Sequence, residues 1–112
     1  MGKEAALDEL AVPLEDPATE KDGNILAELL YQRARRLLGS DRPGLVEALR
    51  DWLEKRDDVL SIQAVILVRD LRLTELRSLI GELREEVASG RALRPTSLCL
   101  FDKALASLDR PA

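Results

Sequence analysis

Two pairs of adjacent carboxylates, Asp57–Asp58 and Glu85–Glu86, are the residues best suited to acid–base chemistry in this chain. Such chemistry needs the two groups to converge on one substrate. Residues next to each other on a helix point in different directions. Asp57 or Asp58 is therefore expected to cap a helix, and Glu85–Glu86 to lie on a solvated face. Ser61, Ser78 and Ser97 have no histidine to activate them, because the chain contains none. The remaining bases for a serine are four lysines, Lys3, Lys21, Lys55 and Lys103. The single cysteine, Cys99, stands between Leu98 and Leu100 and reads as a buried, inert thiol. One cysteine allows neither an internal disulfide nor a cysteine-based zinc site. No glycine-rich phosphate loop is present. The expectation is a chain that is not an enzyme, with no cofactor, no metal and no evident small-molecule substrate.

Arginine is the other residue type with binding chemistry. Arg33, Arg35, Arg36 and Arg42 gather in YQRARRLLGSDR beside Tyr31, and Arg69, Arg72 and Arg77 in VRDLRLTELR. Guanidinium suits phosphate, so a nucleic-acid partner is one reading of Arg33, Arg35 and Arg36. Glu28, Asp70 and Glu75 are spaced to neutralise some of these charges, which makes a salt-bridged face the simpler one. Net charge is −4, but the first 23 residues hold seven acids and two lysines, while the rest holds fourteen acids and fifteen bases. A near-neutral body lacks the basic excess of most nucleic-acid binders. An acidic N-terminal arm folding back onto the region of Arg33–Arg42 is a third reading.

These residues must be positioned by helices. Leu, Ala, Arg and Glu dominate the composition, and all are strong helix formers. Residues 1–23 read as an acidic arm or linker, with room for a short helix over 3–12 before PLEDPATEKDGN. Residues 24–110 read as a single helical domain. Within it, helices are expected over 24–38 (capped by Asn24, ended by Gly39), 42–56 (opened by Ser40 or Asp41 and Pro43), 58–72, 75–88 (capped by Thr74, ended by Gly90) and from Pro95–Ser97 onward. Leu45, Leu49, Trp52 and Leu53 form one apolar stripe. Leu76, Leu79, Ile80, Leu83 and Val87 form another.

The segment VLSIQAVILV at 59–68 has the composition of a strand. No other segment has strand character to pair with it, and an unpaired strand leaves its backbone groups unsatisfied. A helix with neighbours on both faces is expected instead. Val59, Ile62, Val65 and Ile66 would be buried on one side, and Leu60, Ala64, Leu67 and Leu71 on the other. Ser61 and Gln63 are the polar residues whose burial would need partners.

The run LVEALRDWLEKRDDVLSIQAVILVRDLRL, followed by LTELRSLIGELREEV and PTSLCLFDKALASL, resembles HEAT-type helical repeats over residues 45–108. An outer helix leads through an Asp57–Asp58 turn to an inner apolar helix. The repeat register sets Val59 against Leu98, Ile62 against Phe101, Val65 against Ala104 and Ile66 against Leu105. The arginine that opens the inner helix in such repeats is absent, with Ser61 or Gln63 there instead. The resemblance implies stacked antiparallel helix pairs; a non-repeat five-helix bundle fits the same pattern.

The fold expected is all-α. The function expected is a protein–protein interaction or regulatory module that uses a helical face to bind a protein partner or a second copy. Tyr31 and Trp52 are its candidate anchors, with Trp52 alternatively a core residue, and Arg33, Arg35 and Arg36 its candidate polar contacts. No segment approaches the roughly 20 apolar residues of a membrane span. MGKEAALDEL lacks a cationic region followed by an apolar run, and a lone thiol suits a reducing compartment; a cytoplasmic location is expected.

Overall fold

A computed structural model describes residues 2–17 and 22–110. Residues 18–21, with part of the expected linker and Lys21, lie outside it. Six α-helices and no strand are present among the described residues: α1 Lys3–Leu14, α2 Gly23–Ser40, α3 Arg42–Glu54, α4 Leu60–Leu71, α5 Arg77–Ala88 and α6 Leu98–Leu108. The all-α class stands. The helix count is six because the arm contributes α1. Single 3₁₀ turns, Thr74–Leu76 and Pro95–Ser97, lead into α5 and α6. The described chain divides into two compact units, 1–48 and 49–112, with the division falling inside α3.

In the first unit α1 packs on α2. Each helix buries one narrow stripe at helical spacing: Ala6, Leu10 and Pro13 on α1, and Leu26, Leu30 and Ala34 on α2. Asp22, rather than Asn24, caps α2; its carboxylate accepts from the Asn24 amide at 2.8 Å. Gly39 does not end α2, which runs on to Ser40 and stops at Asp41. Asp41 opens α3, its carboxylate accepting from the Gly44 amide at 3.2 Å. A Cβ at Gly44 would stand 2.3 Å from an Asp41 carboxylate oxygen, which would have to leave its cap position, and 3.1 Å from the Gly2 carbonyl carbon.

In the second unit α6 packs against both α4 and α5. The core holds Leu49, Trp52 and Leu53 of α3, Ala64, Val65, Leu67 and Val68 of α4, Ile80, Leu83 and Val87 of α5, and Phe101 and Ala104 of α6. The corner between α3 and α4 is built by hydrogen bonds. The last carbonyls of a helix lack intrahelical partners. Here each finds one. Asp51 O accepts from the Lys55 amide (3.2 Å) and Leu53 O from the Arg56 amide (3.2 Å). Glu54 O accepts from the Arg56 guanidinium at 3.0 Å. Trp52 O accepts from the fully buried Ser61 hydroxyl at 2.8 Å. Ser61 Oγ accepts in turn from the Asp57 amide at 3.1 Å. The Asp57 carboxylate accepts from the amides of Val59 and Leu60, both at 2.8 Å, at the head of α4. The Ser61 amide also donates to Asp57 O at 3.0 Å, so the Asp57 carboxylate caps the helix amides while the Ser61 hydroxyl caps the Asp57 amide, a variant of the capping box.

Two helix ends turn on left-handed residues that are not glycine. Arg56 (φ 51°) follows α3, and Arg72 (φ 53°) ends α4. An L-residue in that region costs about 1–2 kcal/mol. The Arg56 side chain forks onto Glu86 with contacts of 2.7 and 2.8 Å, a partly exposed pair that recovers only part of this cost. After Arg72 the amide of the buried Leu73 closes onto Val68 O at 3.1 Å. Gly90 follows α5 at φ 76°, as its position in the sequence suggests. Thr74 makes no side-chain cap.

Helix α4 is not covered all round. Ser61, Ala64, Val65, Leu67 and Val68 are buried, while Leu60, Ile62, Ile66 and Leu71 are half-buried and Val59 is 52% exposed. At 100° per residue, Val59, Ile62 and Ile66 share the side opposite Ser61, and the neighbours of α4 seal only the Ser61 side. Gln63 is half-buried, and its buried Oε1 has no hydrogen-bond partner among the described residues. Cys99 is exposed, contrary to expectation, because α6 buries the stripe of Phe101, Ala104 and Leu108, and residue 99 falls on the opposite side.

Ser61→Ala leaves the Trp52 carbonyl buried without its donor and is expected to cost about 1–3 kcal/mol, read by urea denaturation; a change under about 0.5 kcal/mol would show that the corner does not need the hydroxyl. The bonds from Leu60 and Val59 hold the Asp57 carboxyl below its ordinary value of 3.8. A carboxyl depressed in the folded state stabilises it above the unfolded pKa and loses that contribution as pH falls through the folded value. Stability is therefore expected to drop below pH 3.8, with Asp57→Asn, which keeps an acceptor but does not titrate, showing a shallower acid limb.

Candidate functional site

The sequence's candidate residues fall on different elements, and the structure gives them different environments. Arg33 of α2 is partly buried and donates to Glu9 of α1 at 2.8 Å. Arg36 stands 3.9 Å from the same carboxylate and is 73% exposed. Arg35 is exposed and holds no ion pair among the described residues. Tyr31 is half-buried. Trp52 is a core residue, 4% exposed, the alternative that its stripe with Leu45, Leu49 and Leu53 allowed. Arg33 and Arg36 are thus drawn toward an acid of the arm, and Trp52 is almost wholly buried.

Three further arginines pair between elements, among them Arg56 with Glu86. Arg77 forks onto Asp109 at 2.6 and 3.1 Å. Arg84 donates to Asp102 at 2.9 Å. The Arg77 hydrogen bond holds the Asp109 carboxyl below its ordinary value, and the Arg56 hydrogen bond does the same for Glu86. Glu85 and Glu86 are turned to different partners: Glu86 meets Arg56, and Glu85 stands 3.2 Å from Arg84. Among the described residues no three His, Cys, Asp or Glu side chains gather as a metal site requires. No helix among them is long and apolar enough to cross a membrane.

The site that the sequence did not single out is a groove of about 410 Å³ in the second unit, lined by Asp58, Val59, Ile62, Arg94, Thr96, Ser97 and Leu100. Its floor is apolar. Val59 and Ile62 come from the open side of α4, and Leu100 from the first turn of α6. Its rim is polar and carries both signs, with Arg94 Nε 4.0 Å from Asp58 Oδ2. The loop before α6 is braced by Ser97, whose hydroxyl donates to Arg94 O at 2.6 Å. The groove exists because the Asp57–Ser61 corner starts α4 immediately beyond Val59. The available signal was the excess of apolar residues on 59–68 over what one buried helix face holds.

No family model, no curated protein and no solved structure matches this chain.

The seating of α1 on α2 separates packing from charge. Leu10 is fully buried, and Leu10→Ala is expected to cost about 2–5 kcal/mol. The Glu9–Arg33 pair is partly exposed and worth about 0–1 kcal/mol. Amide exchange across α1 should therefore accelerate strongly in Leu10→Ala and little in Glu9→Gln; the reverse order would mean that charge holds the arm.

Proposed function

We propose that the chain is a non-enzymatic protein–protein interaction module that binds an amphipathic helix of a protein partner in the groove between the heads of α4 and α6. The carrying observation is Val59: a large apolar side chain, half exposed, on a floor with Ile62 and Leu100 and inside a rim of opposite charges. Apolar anchors seated in a groove are the mode by which an amphipathic helix is recognised, and charges of both signs at the rim fix its direction. A location in the cytoplasm belongs to the same proposal.

The HEAT-type reading is part of the proposal and has support in the second unit. The starts of α4 and α6 line the groove together, and Ser107 near the end of α6 donates to Arg69 O near the end of α4 at 3.2 Å. The two helices thus run side by side in the same direction, as inner helices of successive repeats do. The Arg56–Glu86 fork ties the end of α3 to the end of α5, the corresponding outer pair.

The test is site-specific photocrosslinking in native extract. A photoreactive residue at Val59 is expected to capture a partner through a helical segment, and the same residue at the exposed Ser78 to capture none. With the photoreactive residue at the exposed groove residue Thr96 instead, Val59→Asp should abolish capture while altering stability by no more than about 0.5 kcal/mol, since the Val59 side chain is half exposed. Crosslinks only between copies of the chain would replace the partner with self-association. Crosslinks to nucleic acid would favour the arginine-based reading, and equal capture from both positions would overturn the proposal.

A further inference from the structure

The tail ends of α4 and α6 form a second concavity, of about 430 Å³, lined by Arg69, Asp70, Arg72, Lys103, Ala106, Ser107 and Arg110. Four cations and one carboxylate meet there, a lining charge of +3 brought together from two helices far apart in sequence. Asp70 is engaged by Arg69 at 3.0 Å. Arg72 donates to the backbone carbonyl of Arg110 and meets no carboxylate. The side chains of Lys103 and Arg110 hold no ion pair among the described residues. Three other arginines of this unit each meet a carboxylate: Arg56 with Glu86, Arg77 with Asp109, Arg84 with Asp102.

Helix carbonyl ends attract cations, and α4 and α6 both end here. Each end carries the equivalent of about half a negative charge, so the two supply about −1. That leaves about +2 uncompensated in a concave site, where fields focus. A phosphate group has the complementary charge, and guanidinium presents paired donors that match its oxygens. We propose that it binds a phosphate group carried by a small ligand, with Arg69, Arg72, Lys103 and Arg110 supplying the charge. The Ser107–Arg69 hydrogen bond holds the two walls together. The proposal is independent of the groove at the opposite end of the same helices.

Pyrophosphate is the probe, titrated into the full chain at about 20 mM salt and followed by calorimetry and amide shifts. Shifts are expected at 69–72 and 103–110 and not around Val59, with binding weakened at about 300 mM salt, where screening is stronger. The Lys103→Ala/Arg110→Ala variant should bind at least about tenfold more weakly, the loss of one or more charge-assisted contacts. A control that removes the same charge elsewhere, Lys55→Ala/Arg91→Ala, should bind as the parent does. Circular dichroism confirms that both remain folded. Tighter binding of a nucleoside diphosphate than of pyrophosphate would identify the ligand as a nucleotide, and equal binding as the free anion. Absence of shifts at low salt, equal weakening in the control, or binding of single-stranded RNA without any response to pyrophosphate would overturn the proposal.

Discussion

The hydroxyl of Ser61 is the interaction on which the second unit depends. It is buried, it donates to the otherwise unpartnered carbonyl of Trp52, and it accepts from the amide of Asp57. A methyl in its place would leave a donor and an acceptor unmatched at a tight corner. With it, the end of α3 and the beginning of α4 become one hydrogen-bonded object, completed by the Asp57 carboxylate and the Arg56 guanidinium. The corner fixes which side of α4 faces inward. It thereby fixes that Val59 and Ile62 face outward.

From that choice the two concavities follow. Helices α4 and α6 run in the same direction, so their heads lie together and their tails lie together. The heads bring apolar residues with a mixed-charge rim. The tails bring cations in excess of the carboxylates and of the helix ends. One helix pair thus carries two chemically different surfaces, and neither requires a titrating nucleophile or a metal. Two carboxylates serve the fold: Asp57 on amides, as a cap, and Glu86 on Arg56.

Much of the fold was legible in the residues. The absence of any strand partner for 59–68 decided the all-α class, and the stripe of Leu76, Ile80, Leu83 and Val87 marked α5. Asp57 was readable as a cap because a carboxylate two or three residues before an apolar run can meet free amides. What was not legible depended on neighbours. Gly39 looked like a helix end, but the chain reaches Asp41 before it breaks. Cys99 looked buried between leucines, but helical geometry sends adjacent residues to different sides. Both concavities escaped notice because their walls are joined only when α6 lies along α4, and no local pattern specifies that register. The repeat alignment of Val59 with Leu98 came nearest to it.

The central claim is that Val59 and Ile62 form an open apolar face while the residues one turn inward are sealed. Methyl relaxation by a soluble paramagnetic agent tests it directly on the free protein. The methyls of Val59 should relax fastest and those of Ile62 at an intermediate rate, with Val65, Leu67 and Val68 largely protected. Protection of Val59 equal to that of Val65 would mean that the face is covered, and the groove, with the function argued from it, would not exist.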